Sequence, residues 1–247
     1  MREIDGEKYY NVSEICGMLH NRLSPDEIQT HFQTNKIQGR KIEDQWYATQ
    51  EAIDKFEEEV IYKDIYFTEL HHIDLKNIQL KGRILDIGGG GEGIIGQFAG
   101  PNVISIDPSE RELKEAESDC VKIIMDGKDL KFLDETFDTI AIFFTMMYIS
   151  RPDQKKVLKE AYRVLKSKGE LFLWDLTIPD RPETDKDTYA VKLEVDIGKK
   201  KITTGYGTRW GKKYNLERYL DLGEKVGLKV IDQEVNGETF FIKFQKS

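Results

Sequence analysis

Only two cysteines occur in 247 residues, Cys16 and Cys120, and they show no CxxC spacing. A disulfide framework and a metal site are therefore not expected. Positive charge is not in excess either: 37 Lys and Arg stand against 45 Asp and Glu, a net charge of −8. A chain whose main work is gripping phosphate backbones carries the opposite balance. Long apolar runs are missing as well. The longest, Ile140 to Ile149, is broken by Thr145 and falls far short of the ~20 residues that span a bilayer, so no membrane partner is expected. The opening MREIDGEKYY holds acids and no apolar stretch; no signal peptide is expected, and the cytoplasm is the expected location. Internal repeats and low-complexity tracts are absent from the sequence. What remains, 39% apolar and 33% charged, is a globular composition, long enough for one medium domain plus a small one.

The character of the chain changes near residue 60. Residues 1–60 carry 7 basic and 13 acidic groups, a net of −6, whereas the remaining 187 carry 30 and 32, a net of −2. In the first segment, Val12, Ile15 and Leu19 have helical spacing behind a Ser13 N-cap. Ser24-Pro25-Asp26-Glu27 reads as cap, N1 proline and first-turn acids of a second helix, with Ile28 and Phe32 on one face. Gly39-Arg40-Lys41 predicts a turn, residues 45–48 a short strand, and residues 49–60 a third helix with Ala52, Ile53 and Phe56 inward. This order resembles the small winged helix-turn-helix modules of the excisionase and MerR type, through Tyr10-Asn11-Val12-Ser13-Glu14-Ile15, Trp46-Tyr47 and Ala52-Ile53-Asp54-Lys55-Phe56. The resemblance implies DNA binding. The charge implies the reverse, because the candidate recognition helix opens with two acids and the only adjacent basic pair is Arg40-Lys41. The expectation is a domain that packs on the rest of the chain or on a second subunit of a homodimer.

From residue 84 onward, β-rich apolar runs at 83–87, 103–106, 121–125, 139–144 and 170–174 alternate with helical segments after Gly91 and at 110–118 and 152–165. Such alternation predicts a parallel sheet with crossover helices, an α/β doubly wound fold. The stretch 177–213 is too long for an ordinary connection. It holds an antiparallel pair, 190–197 and 201–206, expected to cover the site. A helix at 216–226 and a hairpin turning at Asn236-Gly237 close the chain.

The sharpest local signal is Ile84-Leu85-Asp86-Ile87-Gly88-Gly89-Gly90-Gly91-Glu92-Gly93: a buried strand, a glycine turn, then a helix start. Gly88, Gly90 and Gly93 also satisfy the dinucleotide pattern, so the glycines alone do not choose the ligand. Asp86 does help to choose. A carboxylate there repels the pyrophosphate of NAD and attracts the sulfonium and ammonium of S-adenosylmethionine. A simpler role, capping the loop amides, stays open. Asp107, 21 residues after Asp86, ends the second strand, where an acid can take ribose hydroxyls, and Pro108 can pack on adenine. Asp126-Gly127 ends the third strand, where a carboxylate can accept from the adenine amine.

Residues 82–175 closely resemble a class I S-adenosylmethionine-dependent methyltransferase. ILDIGGGGEG is similar to the family's glycine motif, Phe137-Asp138-Thr139-Ile140 to its fourth strand with Phe144-Thr145 at the cofactor end, and Arg163-Val164-Leu165-Lys166-Ser167-Lys168-Gly169-Glu170 to its turn into strand five. The resemblance implies a mostly parallel, seven-stranded, Rossmann-like sheet with a reversed last strand. It implies S-adenosylmethionine held by Asp86, Gly88, Gly90, Asp107, Pro108, Asp126, Gly127, Phe144 and Thr145. One departure is Glu92, where many members have glycine. Methyl transfer mainly needs alignment and exclusion of water, so no catalytic side chain is assigned. Tyr148, Tyr206 and Trp210 are the substrate-side candidates, and His71 and His72 are candidates for the cofactor entrance. The acidic charge and the absence of an Asn/Asp-Pro-Pro-aromatic loop favour a small-molecule acceptor over nucleic acid. An S-adenosylmethionine-responsive DNA-binding regulator, a nucleic-acid methyltransferase and an NAD-dependent oxidoreductase stay open.

Overall fold

The computed structural model describes residues 1–4, 6–19, 23–210 and 214–247. The chain divides into two units, Met1–Tyr66 with Asp185–Asp187, and Phe67–Thr184 with Thr188–Ser247. The first unit runs β1 (Arg2–Ile4), β2 (Glu7–Asn11), α1 (Val12–Met18), α2 (Pro25–Gln33), β3 (Arg40–Ile42), β4 (Gln45–Thr49) and α3 (Gln50–Phe56). Its sheet has the order β1-β2-β4-β3 with antiparallel neighbours. Each helix starts where a short polar side chain can take an orphan amide. Asn11 and Glu14 form a capping box on α1, Ser24 and Glu27 form another on α2, and Thr49 caps α3. The cap of α1 is thus Asn11, two residues ahead of the expected Ser13. Beyond Phe56 the third helix widens into a π turn, Glu57–Ile61. Ile15, Leu19, Ile28, Phe32, Ile37, Ala48, Ile53 and Phe56 form the core, with Trp46 stacked on Phe32 at 5.2 Å.

The expected helices and the second arm of the hairpin are in place, but the expected order is incomplete. A hairpin, β1–β2, precedes α1, and β3 begins at Arg40 where a turn was expected. The turn lies instead at Glu43 and Asp44, both with positive φ, 48° and 66°. That conformation usually selects Asn-Gly, so Glu-Asp gave no signal.

The second unit contains all but the first two residues of β5 (Ile65–Asp74), then β6 (Ile84–Ile87), α4 (Ile94–Ala99), β7 (Val103–Asp107), α5 (Glu110–Glu115), β8 (Val121–Ile124), β9 (Phe137–Phe143), α6 (Arg151–Val164), β10 (Leu165–Leu176), β11 (Thr188–Asp196), β12 (Lys201–Arg209), α7 (Leu216–Val226), β13 (Leu228–Asn236) and β14 (Thr239–Lys246). Its main sheet has the order β13-β14-β10-β9-β6-β7-β8. Strands β6 to β10 are mutually parallel, and β14 runs antiparallel to both neighbours. All four residues of β6 are buried, as a strand covered on both faces requires. The winding reverses between β6 and β9, so a crevice opens at the carboxyl ends of these strands. Arg163 pins the long β8–β9 connection. Its guanidinium donates to the carbonyls of Leu130 and Phe132 and to Asp134.

A second sheet, β12-β11-β5, is built from the expected insertion and from β5, a strand whose pattern IYFTELHHID shows no clean alternation. The last three residues of the insertion, 211–213, lie outside the described residues. Among the described residues no helix is long and apolar enough to cross a membrane.

Two helical glycines predict opposite outcomes. A Cβ on Gly17 meets nothing within 4 Å, whereas one on Gly223 falls 2.4 Å from the Phe244 ring. In urea unfolding, Gly17→Ala is expected to stabilise its unit by about 0.5–1 kcal/mol, and Gly223→Ala to destabilise the other by about 1–3 kcal/mol.

Candidate functional site

The glycine turn follows β6 directly. Gly88 adopts φ 80°, and a Cβ there would lie 2.3 Å from Thr145. The amides of Gly88 and Gly89 both donate to the carbonyl of Ile106 on β7, at 2.8 and 3.0 Å, and Gly91 donates to the carbonyl of Glu112. The turn is therefore stitched to β7 and α5 before α4 begins.

Asp86 lies beneath it, 1% exposed. Its carboxylate accepts from the Ser105 hydroxyl at 2.9 Å. Burial pushes its pKa up to about 7, with the Ser105 bond opposing and the nearby Asp107 charge adding to the rise. Asp107, half-buried at the end of β7, accepts from the Ser109 amide at 2.8 Å. Burial raises its pKa too, and Glu112 adds to the rise, while bonds from the Ser109 and Gly90 amides oppose it. Pro108 beside it is exposed. Asp126 is exposed after β8 and accepts from the Lys128 amide at 2.9 Å, with the Lys128 ammonium 3.3 Å away. Gly127 is buried, and a Cβ there would meet Ile87 at 2.9 Å.

On the other side of the crevice β9 ends at a kink. Phe144 is buried in the left-handed region, φ 47°, a conformation that costs a non-glycine residue roughly 1–3 kcal/mol. It directs Thr145 toward Gly88. The ring of Phe144 carries Tyr206 of β12, stacked at 5.0 Å and 9°. Glu92, at the end of the glycine turn, accepts from Thr204 at 2.6 Å and from Tyr206 at 3.3 Å. The amide of Gly207 donates to the Tyr148 hydroxyl at 3.3 Å. Strand β12 thus meets the loops after both β6 and β9. Tyr148 is 54% exposed as a residue. Partial desolvation, opposed by the Gly207 bond and reinforced by Asp175, Glu92 and Glu112, pushes its pKa up to about 12.

The structure therefore brings together Asp86, Gly88, Gly90, Asp107, Phe144, Thr145, Tyr148 and Tyr206 around one strand-end crevice. Trp210 is placed elsewhere, against Tyr189 at 4.8 Å. The two histidines sit on β5 and are engaged there, not at the glycine turn. His71 Nε2 lies 2.7 Å from Glu238, and His72 Nδ1 lies 3.1 Å from Glu194. Sequence reasoning missed Asp175, a fully buried acid at the carboxyl end of β10. Burial raises its pKa to about 7 against the amides of Leu176, Met147 and Met146. The signal is the single acid in the apolar run LFLWDL, easily passed over as a strand end.

In the first unit a cleft of about 430 Å³ is lined by Asn11, Ser13, Gln29, Gln33, Lys41 and Trp46 among others. The charge of Lys41 is matched by Asp44 at 3.0 Å, and Arg40 lies over the Tyr9 ring at 4.0 Å.

Known proteins resemble this chain in sequence and in fold. Residues 85–173 match the sequence model of a family described as "Methyltransferase domain". An uncharacterized protein of Methanocaldococcus jannaschii is 38% identical over 148 residues, 58% of this chain and 62% of that protein. The ubiquinone/menaquinone biosynthesis C-methyltransferase of Rickettsia typhi is 30% identical over 58% of this chain and 65% of its own length. The chain spans less than two thirds of the length of these curated relatives. Among solved structures, an S-adenosylmethionine-dependent methyltransferase of Methanosarcina mazei superposes with a TM-score of 0.51 at 19% identity, covering 68% of this chain and 94% of that one. Residues 85–173 thus resemble a methyltransferase family in sequence, and the seven-stranded sheet shares the Rossmann-like fold of the Methanosarcina mazei structure.

Proposed function

We propose that the protein is an S-adenosylmethionine-dependent methyltransferase acting on a small-molecule acceptor. The observation that carries this reading is the pairing of a side-chain-free glycine turn with carboxylates. Asp86 lies under the turn and Asp107 one strand over. The residues present fit the cofactor. Cβ atoms at Gly88, Gly89 and Gly90 would fill the cradle, and a buried carboxyl held near neutrality regains its charge beside a cation. A pyrophosphate in the same place would meet the carboxylates of Asp86 and Asp107.

When bound, S-adenosylmethionine supplies a methyl group already activated by positive sulfur. The chain's own residues do the rest. In this reading Asp107 holds the ribose hydroxyls, Asp126 with Gly127 the adenine edge beside Pro108, and Asp86 with Gly88, Gly90 and Thr145 the methionine end. Phe144, Tyr206 and Tyr148 wall the acceptor side and exclude water. A small-molecule acceptor is supported by the acidic chain and by the relative from Rickettsia typhi, whose name describes a C-methyltransferase of quinone biosynthesis.

Titration calorimetry tests the cofactor directly. S-adenosylmethionine and S-adenosylhomocysteine are expected to compete for one site, and Asp107→Ala to weaken both by about 1.5–3 kcal/mol, the scale of charge-assisted hydrogen bonds. Tight NADH binding without S-adenosylmethionine binding would overturn the reading.

Asp86 gives a pH signature. Its folded pKa, about 7, lies above the ordinary value of 3.8. The folded state thus holds the extra proton between these values. Its contribution to stability is whole below pH ~4 and is lost as pH rises through about 7. Asp86→Asn is expected to unfold at higher urea than wild type at pH 8, by up to about 4 kcal/mol, with a much smaller gain at pH 5. An equal change at both pH values would show that burial is not what shifts this group.

For the first unit we propose no nucleic-acid role. Its residues 1–60 have a net charge of −6, and its wing cations are engaged by Asp44 and Tyr9. Fluorescence anisotropy with random and genomic DNA at near-physiological salt is expected to give no sub-micromolar binding. Tight binding that vanishes in an Arg40→Glu, Lys41→Glu double variant would restore the DNA-binding alternative.

A further inference from the structure

The short 3₁₀ turn Met146–Tyr148, between β9 and α6, is gripped by buried groups of both polarities. On one side Asp175 of β10 accepts from the Met147 amide at 3.0 Å and from the Leu176 amide at 2.8 Å, with the Met146 amide also turned to it. On the other side Gln154 of α6 donates through Nε2 to the Met146 carbonyl at 2.9 Å and to the Tyr219 hydroxyl at 3.2 Å. The carbonyl end of Gln154 is keyed in turn by Arg218 Nε of α7 at 3.0 Å. The Tyr214 hydroxyl donates to the Ile149 carbonyl at 3.3 Å. Asp175, Gln154 and Tyr219 are each fully buried.

A buried carboxyl and a buried amide are expensive to retain unless their geometry is used. Apolar residues of the same size would fill this part of the core without that cost. What the two groups determine is a backbone turn whose amides face Asp175 and whose first carbonyl faces Gln154. Tyr148 leaves that turn, and its hydroxyl meets the Gly207 amide of β12. A shift of the turn therefore moves the phenol and its contact with the strand across the crevice.

We propose that Asp175 and Gln154 are positioning residues. Together they set the Met146–Tyr148 turn and, through it, the Tyr148 hydroxyl on the acceptor side of the site. That the acceptor meets this hydroxyl rests on the methyl-transfer reading; the mechanical coupling does not. The clamp also ties the turn to α7 through Arg218 and Tyr219, and to Tyr214 just ahead of that helix, so changes there are felt at Tyr148.

The test uses the full chain with 3-fluorotyrosine at position 148 and ¹⁵N-labelled glycine, in wild type, Gln154→Met, Asp175→Asn and Tyr214→Phe. Fluorine NMR reads the phenol, hydrogen exchange reads the Gly207 amide, and calorimetry reads S-adenosylhomocysteine affinity. Gln154→Met and Asp175→Asn are expected to shift the residue-148 resonance and to speed Gly207 exchange at least tenfold, with affinity within about threefold of wild type. Tyr214→Phe, which removes one bond and no volume, is expected to move both readouts in the same direction by less. It decides the matter should either stronger variant fail to fold. A lowered melting temperature with the resonance and the exchange rate unmoved would reduce the network to ordinary core support and overturn the proposal. Absence of S-adenosylhomocysteine binding in wild type would instead overturn the methyl-transfer reading, and the NMR outcome would still decide the clamp.

Discussion

The turn that follows β6 has no room for side chains, and the arrangement of the site is organised around that exclusion. At Gly88 the missing Cβ leaves room for Thr145, at Gly89 for Asp86 and Ser105, and at Gly90 for Glu112 and Asp107. Four elements therefore converge on one stretch of backbone: the end of β6, the end of β7, the start of α5 and the kink after β9. The two amides that share the Ile106 carbonyl fix the turn against β7. Because the backbone itself forms the surface, a ligand can approach it closely, and the strand-end acids are held at its margin. A single Cβ at Gly88 would push Thr145 away and undo the convergence from the β9 side.

The same crowding explains the electrostatics. Asp86 is sealed under the turn with one hydroxyl partner, so its charge is costly and its pKa rises to about 7. Asp107 is raised for the same reason and to a lesser depth. A carboxyl held near neutrality by burial, as that of Asp86 is, regains its charge beside a cation, so its ionisation and the approach of a cation reinforce one another. Asp126 differs in kind. It is exposed and already faces Lys128, which suits a hydrogen-bonding edge better than a source of field.

Much of this was legible because the relevant signals are local. ILDIGGGGEG carries strand, turn and helix start in ten consecutive residues, and α7, Leu216–Val226, announces itself by an Asn215 cap and a Gly227 stop. The elements that escaped reading depend on distant partners. Strand β5 takes its pairing from β11, more than a hundred residues away, and its two histidines lie beside Glu238 and Glu194. Strands β1 and β2 are short and charged, and the Glu43-Asp44 turn adopts positive φ without a glycine. Asp175 and Gln154 look like a strand-end acid and a surface helix amide, because nothing in their neighbourhoods reveals that both face the same turn.

Glu92 joins two features that look unrelated along the chain. By resemblance it is a departure from the glycine motif, and the insertion after β10 is an addition to the fold. In space they are a single device. The carboxylate of Glu92 accepts the hydroxyls of Thr204 and Tyr206, and the Tyr206 ring lies flat on Phe144. A glycine at position 92 would leave both hydroxyls without this acceptor, and β12 would be held at the crevice by the Phe143 and Phe144 ring contacts and the Gly207–Tyr148 bond. The side chain gained in the loop is thus the counterpart of the strand gained after β10. Because Glu92 belongs to the same turn that carries the glycine cradle, any ligand that moves that turn also pulls on β12.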